Sequence, residues 1–166
     1  MDGDGLRVAT SADAAAIAAI YNESIAAGDA TMDERTFTPS DVARQLASFG
    51  PGEAYVVLER EGEVLAWGRV ARYSDRAGYR FTAETSVYCR RSERGRGHGA
   101  RLQARLHELA RAHGYHHLVA KILASNVGSV RFHERFGFTL VGVQREVGFK
   151  AGRWVDVAIL QRILEP

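Results

Sequence analysis

The junction between Tyr88 and Gly99 restricts this chain more than any other stretch. Before it, residues alternate as in a strand; after it, apolar residues recur at helical spacing. The connecting residues are Cys89-Arg90-Arg91-Ser92-Glu93-Arg94-Gly95-Arg96-Gly97-His98. Glycine reaches backbone angles that other residues resist, and without a Cβ it leaves neighbouring N–H groups uncovered. A helix that starts directly after such a turn aims unpaired N–H groups and the positive end of its dipole into it, an arrangement that binds anions. Arg90, Arg91, Arg94, Arg96 and Arg101 surround the turn, with Glu93 as the one acid among them. The pattern predicts an anion cradle suited to a phosphate-bearing ligand.

The rest of the chain supplies a sheet to carry this turn. Leu6-Arg7-Val8-Ala9 alternates briefly, and Thr10 or Ser11 can cap a helix to about Ser24 that presents Ile17, Ile20, Tyr21 and Ser24 on one face. Gly28 to Pro39 shows no period. Ser40 is the expected cap of a second helix bearing Val42, Gln45, Leu46 and Phe49, ended by Gly50-Pro51-Gly52. The period then falls to two, and Ala54–Glu59 and Val64–Arg72 predict an antiparallel hairpin. Tyr79 to Cys89 is expected as the next strand. One face carries Tyr79, Phe81, Ala83, Thr85, Val87 and Cys89; the other carries Arg80, Thr82, Glu84, Ser86 and Tyr88. In the interior of a sheet that second face needs a wet cleft beside it, because a buried polar group without a partner costs about 1–3 kcal/mol.

Beyond the turn, Leu102, Leu106, Leu109 and Ala110 form the core stripe of a helix that Gly114 closes. His117–Leu123 is nearly all apolar, as in a strand covered on both faces. Asn126 or Ser125 caps a short helix ending at Gly137, with Asn126, Ser129 and His133 on one side. Thr139–Val147 and Arg153–Leu164 form a closing hairpin around Lys150-Ala151-Gly152, with Trp154 and the valines after it expected in the sheet core. The order is strand, two helices, three strands, helix, strand, helix, two strands, which describes a mixed α/β sheet.

Composition narrows the function. At 166 residues the chain suffices for a single domain, expected over residues 1–166, that buries roughly 70% of the surface its unfolded form exposes. A net charge of +2 is too small for a general nucleic-acid binder. An RNA-binding reading of the Arg-Gly segment would need aromatic side chains among the arginines, and the nearest is Tyr88. The one cysteine, Cys89, leaves no internal disulfide and fits a reducing, cytoplasmic setting. Asp2 and Asp4 give the wrong charge for a signal peptide, and no apolar run approaches the ~18–20 residues of a membrane span. His113, His116 and His117 lack the Cys or carboxylate that would complete a ligand set, so no metal is expected.

Arg94-Gly95-Arg96-Gly97-His98-Gly99 is similar to the Arg/Gln-x-x-Gly-x-Gly/Ala motif of the GNAT superfamily of N-acetyltransferases, and the element order resembles that fold. The stretches 76–88, 126–138 and 147–157 extend the resemblance, over nearly the whole chain, to the phosphinothricin and methionine sulfoximine N-acetyltransferase subfamily. The resemblance implies the acyl-CoA N-acyltransferase fold, a mixed, mostly antiparallel seven-stranded sheet flanked by about four helices. It implies acetyl-CoA as acetyl donor, lying along the fourth strand with its pyrophosphate on the glycine turn. Cofactor contacts then fall on Val87, Tyr88, Cys89, Arg94, Gly95, Arg96, Gly97, His98, Gly99, Asn126 and Ser129. The proposed base of the family falls on Glu84, and His133 stands near the thioester, either protonating the leaving thiolate or orienting a water. Thr85 and Ser86 are expected at the substrate, where Arg76, Tyr79 and Arg80 either bind its carboxylate or form a solvated strand entry. A homodimer with pockets near the interface is also implied. Tyr73-Ser74-Asp75 and Gly28-Asp29-Ala30-Thr31 depart from or vary within the subfamily, and both bear on acceptor choice.

The chemistry asks little more of the chain. An α-amino group with a pKa of roughly 8 is mostly ammonium at neutral pH, so a base must take its proton before it attacks a thioester. Direct transfer between two bound reactants needs no covalent enzyme intermediate, which leaves Cys89 a packed side chain. The leading expectation is acetylation of the α-amino group of a small, glutamate- or methionine-like amino acid. The alternatives are another small amine or a protein N-terminus as acceptor, or a silent acyl-CoA sensor.

Overall fold

The computed structural model describes residues 5–165; the acidic pair Asp2 and Asp4 lies outside them. The strands are β1 (Gly5–Val8), β2 (Ala54–Arg60), β3 (Glu63–Arg72), β4 (Thr82–Cys89), β5 (His117–Leu123), β6 (Thr139–Lys150) and β7 (Arg153–Ile163). The helices are α1 (Ala14–Ala27), α2 (Pro39–Ser48), α3 (His98–His113) and α4 (Val127–Arg135). Together the strands form one seven-stranded sheet in the order β1-β2-β3-β4-β5-β7-β6. Every neighbouring pair is antiparallel except β4 and β5, which are parallel and joined through α3. Among the described residues no helix is long and apolar enough to cross a membrane.

Strand alternation builds a core on each face of the sheet. Val56, Leu58, Ala66, Ala83 and Leu160 meet Leu102, Leu106 and Ala110 of α3 on one side. Tyr55, Val57 and Trp67 meet Ile17, Ile20 and Val42 of α1 and α2 on the other. The close seating of α3 depends on Gly68 of β3, where a Cβ would stand 2.9 Å from Leu106 Cδ1.

Several local expectations need correction. Thr38, not Ser40, caps α2: its Oγ1 accepts from the Asp41 N–H at 3.1 Å, its own N–H donates to Asp41 Oδ2 at 2.8 Å, and Pro39 opens the helix. The strand expected from Tyr79 begins at Thr82, because the Tyr79 and Arg80 N–H groups bond back to Arg76 and Ala77 in a 3₁₀ turn. β6 runs on to Lys150, whose buried ammonium donates to the carbonyls of Gly28 and Thr31. Trp154 is 63% exposed and packs edge-on against Phe149, outside the sheet core.

Beneath α3 lies a buried polar group of residues. Arg162 of β7 donates to His107 Nδ1 at 3.0 Å and to the Phe136 carbonyl, and the Gln103 amide meets His107 Nε2 at 2.9 Å. Burial and the neighbouring Arg162 hold the His107 pKa down at about 4, from an ordinary 6.5. Between those values the unfolded chain binds the proton that the folded chain refuses, so stability present above about pH 6.5 is lost as pH falls toward about 4. Urea unfolding across this range is expected to show that slope and a shallower one in His107→Gln; equal slopes would contradict the assignment.

Candidate active site

β4 and β5 are hydrogen-bonded partners only over Thr82–His117, Ala83–Leu118 and Glu84–Val119. Past that point β4 continues to Cys89 and β5 to Leu123, each still held on its other edge, β4 by β3 and β5 by β7. The two strands therefore part into a wedge whose inner edges have no strand to pair with. Buried backbone groups require partners, so such a wedge is a place for a ligand with peptide-like donors and acceptors. A cleft of about 890 Å³ fills it, lined by residues 85–89, Ala120, Lys121, Ile122 and the start of α4.

The glycine turn closes the mouth of this cleft. Gly95 and Gly97 have φ of +77° and +84°, left-handed backbone that strongly favours glycine. Gly99 is different: a Cβ there would make an ordinary contact with Phe132 at 3.5 Å. Gly97 caps α3 without any side-chain hydrogen bond, which leaves the first turn of that helix open toward an anion. The arginines around it divide. Arg90 donates to the Val64 carbonyl and pairs with Glu63, Arg91 pairs with Asp29 at 3.1 Å, and Arg96 lies 3.7 Å from Glu93. Arg94 lines the cleft. Much of the basic cluster thus ties the turn to the fold.

α4 starts on the opposite wall. Asn126 Oδ1 accepts from the Ser129 N–H at 3.2 Å and caps the helix. One turn on, His133 is only 5% exposed, with Nδ1 2.8 Å from the Ser129 carbonyl. Burial holds its pKa below the usual imidazole value, so the ring is neutral at pH 7. A carbonyl can only accept, which puts the ring proton on Nδ1 and leaves a lone pair on the unpartnered Nε2. The Thr85 hydroxyl is likewise buried at the cleft without a partner. Burial raises the Cys89 thiol above its ordinary pKa, which keeps it protonated and a poor nucleophile.

Residues 6–159 match the family model of the acetyltransferase (GNAT) domain. The chain belongs to the GNAT acetyltransferases. It is similar to the L-methionine sulfoximine/L-methionine sulfone acetyltransferase of Pseudomonas aeruginosa PAO1, with 38% identity over 97% of this chain and 95% of that protein. A GNAT superfamily phosphinothricin acetyltransferase from Sinorhizobium meliloti, crystallised in complex with AcCoA, superposes with a TM-score of 0.91 at 35% identity, covering 97% of this chain and 88% of that one. A ribosomal-protein-alanine N-acetyltransferase from Brucella melitensis superposes with a TM-score of 0.92 at 35% identity, covering 96% and 99%. The protein is an N-acetyltransferase that takes its acetyl group from acetyl-CoA.

For a GNAT enzyme the geometry suits this donor: an unpaired strand edge for its amide-bearing arm and an open helix start for its pyrophosphate. Of the residues expected from the sequence, Thr85, Ser86, Val87, Tyr88, Cys89, Arg94, Gly95, Gly99, Asn126, Ser129 and His133 come together around the cleft. Arg96, Gly97 and His98 do not line it; Gly97 shapes the turn, and His98 is buried with Nε2 3.0 Å from Glu93. Arg76, Tyr79 and Arg80 also stay outside, on the exposed β3–β4 connection, where Arg80 stacks over Phe81 and Tyr79 meets Tyr73 edge-on. Glu84 stands beside the cleft at the last paired position of the wedge, and its partner is Lys121 at 3.0 Å. Sequence reasoning passed over Lys121, although it is the one charged residue inside the apolar run of β5. Asp29 and Ala30 also line the cleft, from a loop without periodicity that offered no signal.

Proposed function

We propose that this enzyme, as a single domain, acetylates the α-amino group of a small amino acid of the methionine sulfoximine, methionine sulfone or phosphinothricin type. The observation that carries the reading is the place of Glu84, a carboxylate fixed by Lys121 where β4 and β5 begin to part. Glu84, directly or through a water, takes a proton from the ammonium, and the neutral amine attacks the thioester carbon. A backbone N–H of Val87 or Tyr88 on the unpaired edge of β4 holds the oxygen as it gains charge. The C–S bond then breaks, and the proton that the attacking nitrogen sheds as it becomes an amide passes to the departing thiolate through a water held by His133 Nε2. Holding both reactants in one wedge supplies much of the rate. The names and high identity of the relatives support the acceptor class. The likeness to the Brucella melitensis enzyme keeps a protein N-terminus as the second reading.

Release of CoA is expected with methionine sulfone, methionine sulfoximine or phosphinothricin, and weakly or not with alanine-ended peptides. Glu84→Gln is expected to lower kcat by about 10²–10⁴-fold while the KM for acetyl-CoA stays near wild type. Turnover on peptides alone would move the acceptor to a protein N-terminus, and an unchanged kcat would remove Glu84 as the base.

The enzyme is further proposed to be a homodimer joined through β6 and β7. β6 is the sheet's outer strand, and Leu140, Val141, Val143, Val147 and Phe149 on it are exposed together with Trp154 of β7. A long apolar edge strand of this kind needs cover, and a second copy supplies a matching surface. Sedimentation at micromolar concentration is expected to give twice the chain mass; monomer alone would overturn it.

A further inference from the structure

A second, smaller cavity of about 110 Å³ lies across β3 and β4 from the cleft, under α1 and α2. Its wall is aromatic: Tyr21, Phe37, Tyr55, Trp67 and Tyr88 surround it, and Arg69 is the cation among them. The rings brace one another, with centroids 4.8 Å apart for Trp67 and Tyr88, 5.2 Å for Tyr55 and Trp67, and 5.0 Å for Tyr21 and Tyr88. Their polar atoms are already engaged. Tyr55 donates to Gln45, Tyr21 to Asp33, Tyr88 to the Ala30 carbonyl, and Trp67 to the Ile17 carbonyl.

Arg69 is the group whose needs are unmet. Its Nε is fully buried without a hydrogen-bond partner, and among the described residues no acidic side chain forms an ion pair with it. Around it stand the neutral hydroxyls of Tyr55 and Tyr88. Arg69 as a whole is half-buried; a guanidinium partly withdrawn from water beside aromatic rings gains from a counter-charge, and a planar carboxylate that meets its fork with two parallel hydrogen bonds is the best-matched one.

The register shows where such a carboxylate would sit. Arg69 of β3 is opposite Ser86 of β4, and Ala71 is opposite Glu84, so Arg69, Ser86 and Glu84 share one face of the sheet. Ser86 and Tyr88 line both this cavity and the cleft. An α-amino acid carries its carboxylate and its amine on one carbon, which fits a site with a guanidinium at one end and a proton acceptor one pleat away. Asp33 is the cavity's one acid, and it accepts from the Tyr21 hydroxyl.

We propose that Arg69 binds the α-carboxylate of the acceptor amino acid, turning its amine toward Glu84 and laying its side chain against the aromatic wall. This assignment rests on the amino-acid reading given above. It makes Arg69 the residue that separates amino acids from simple amines.

The test compares methionine sulfone with its carboxamide, which keeps the amine and side chain but loses the negative charge, in wild type, Arg69→Gln and Arg69→Lys. The ratio of kcat/KM between acid and amide cancels the intrinsic reactivity of the two amines. Wild type is expected to favour the acid, and Arg69→Gln to cut that ratio by about 10–100-fold with the KM for acetyl-CoA within about twofold of wild type. Arg69→Lys, which keeps the charge without the fork, is expected to lose part of the ratio and serves in place of the Gln variant if that one fails to fold. The same acid-to-amide ratio in all three proteins would overturn the anchor and leave the acetyltransferase reading standing. A wild type that acetylates neither compound would overturn the amino-acid reading, and the anchor with it.

Discussion

The parting of β4 from β5 after Glu84 and Val119 is the constraint on which the site depends. It cannot close, because β4 is held along its length by β3 and β5 by β7. Each strand then feeds a helix that starts at the mouth of the wedge, α3 after β4 and α4 after β5. The two helix starts are not equivalent. Asn126 caps α4 with its own side chain, whereas α3 begins at a left-handed glycine with no side-chain cap. By hydrogen-bond accounting that difference leaves α3 the better placed of the two for the proposed anion.

A period of two puts the proposed sites of the two reactants on opposite faces of a single strand. Val87 and Cys89 face α3, while Glu84, Ser86 and Tyr88 face the aromatic layer under α1 and α2. In the proposed arrangement donor and acceptor meet at β4 with little intervening protein. The loop after α1 is bound to the same centre: Arg91 pairs with Asp29, Tyr88 donates to the Ala30 carbonyl, and buried Lys150 holds the Gly28 and Thr31 carbonyls. An otherwise irregular segment is fixed by contacts from β4, β6 and the glycine turn.

Much of this was legible in sequence where local rules and tertiary demands coincide. The limits of β5, the closing glycine of α3 and the Asn126 cap follow from apolar runs, left-handed backbone and side-chain capping, which need no distant partner. Tyr79 to Phe81 misled because alternation continues through them, while a turn takes their hydrogen bonds instead of the sheet. Trp154 misled because it lies on the part of β7 that runs beyond β5 and pairs only with β6, which the strand pattern alone does not reveal. The arginine cluster mixes roles, since its ion pairs with Asp29 and Glu63 join residues far apart in the chain. Lys121, Asp29 and Ala30 reach the cleft, and Arg69 the smaller cavity, through register and packing, which a linear reading does not contain.

The most direct test is backbone amide hydrogen exchange, resolved by residue, with and without acetyl-CoA. New protection is expected at residues 85–89 of β4 and at the first turn of α3, His98 to Ala100, with little change along β6 and β7. Protection that spares the unpaired edge of β4 and the start of α3 would contradict the assignment of the wedge as the acetyl-CoA site.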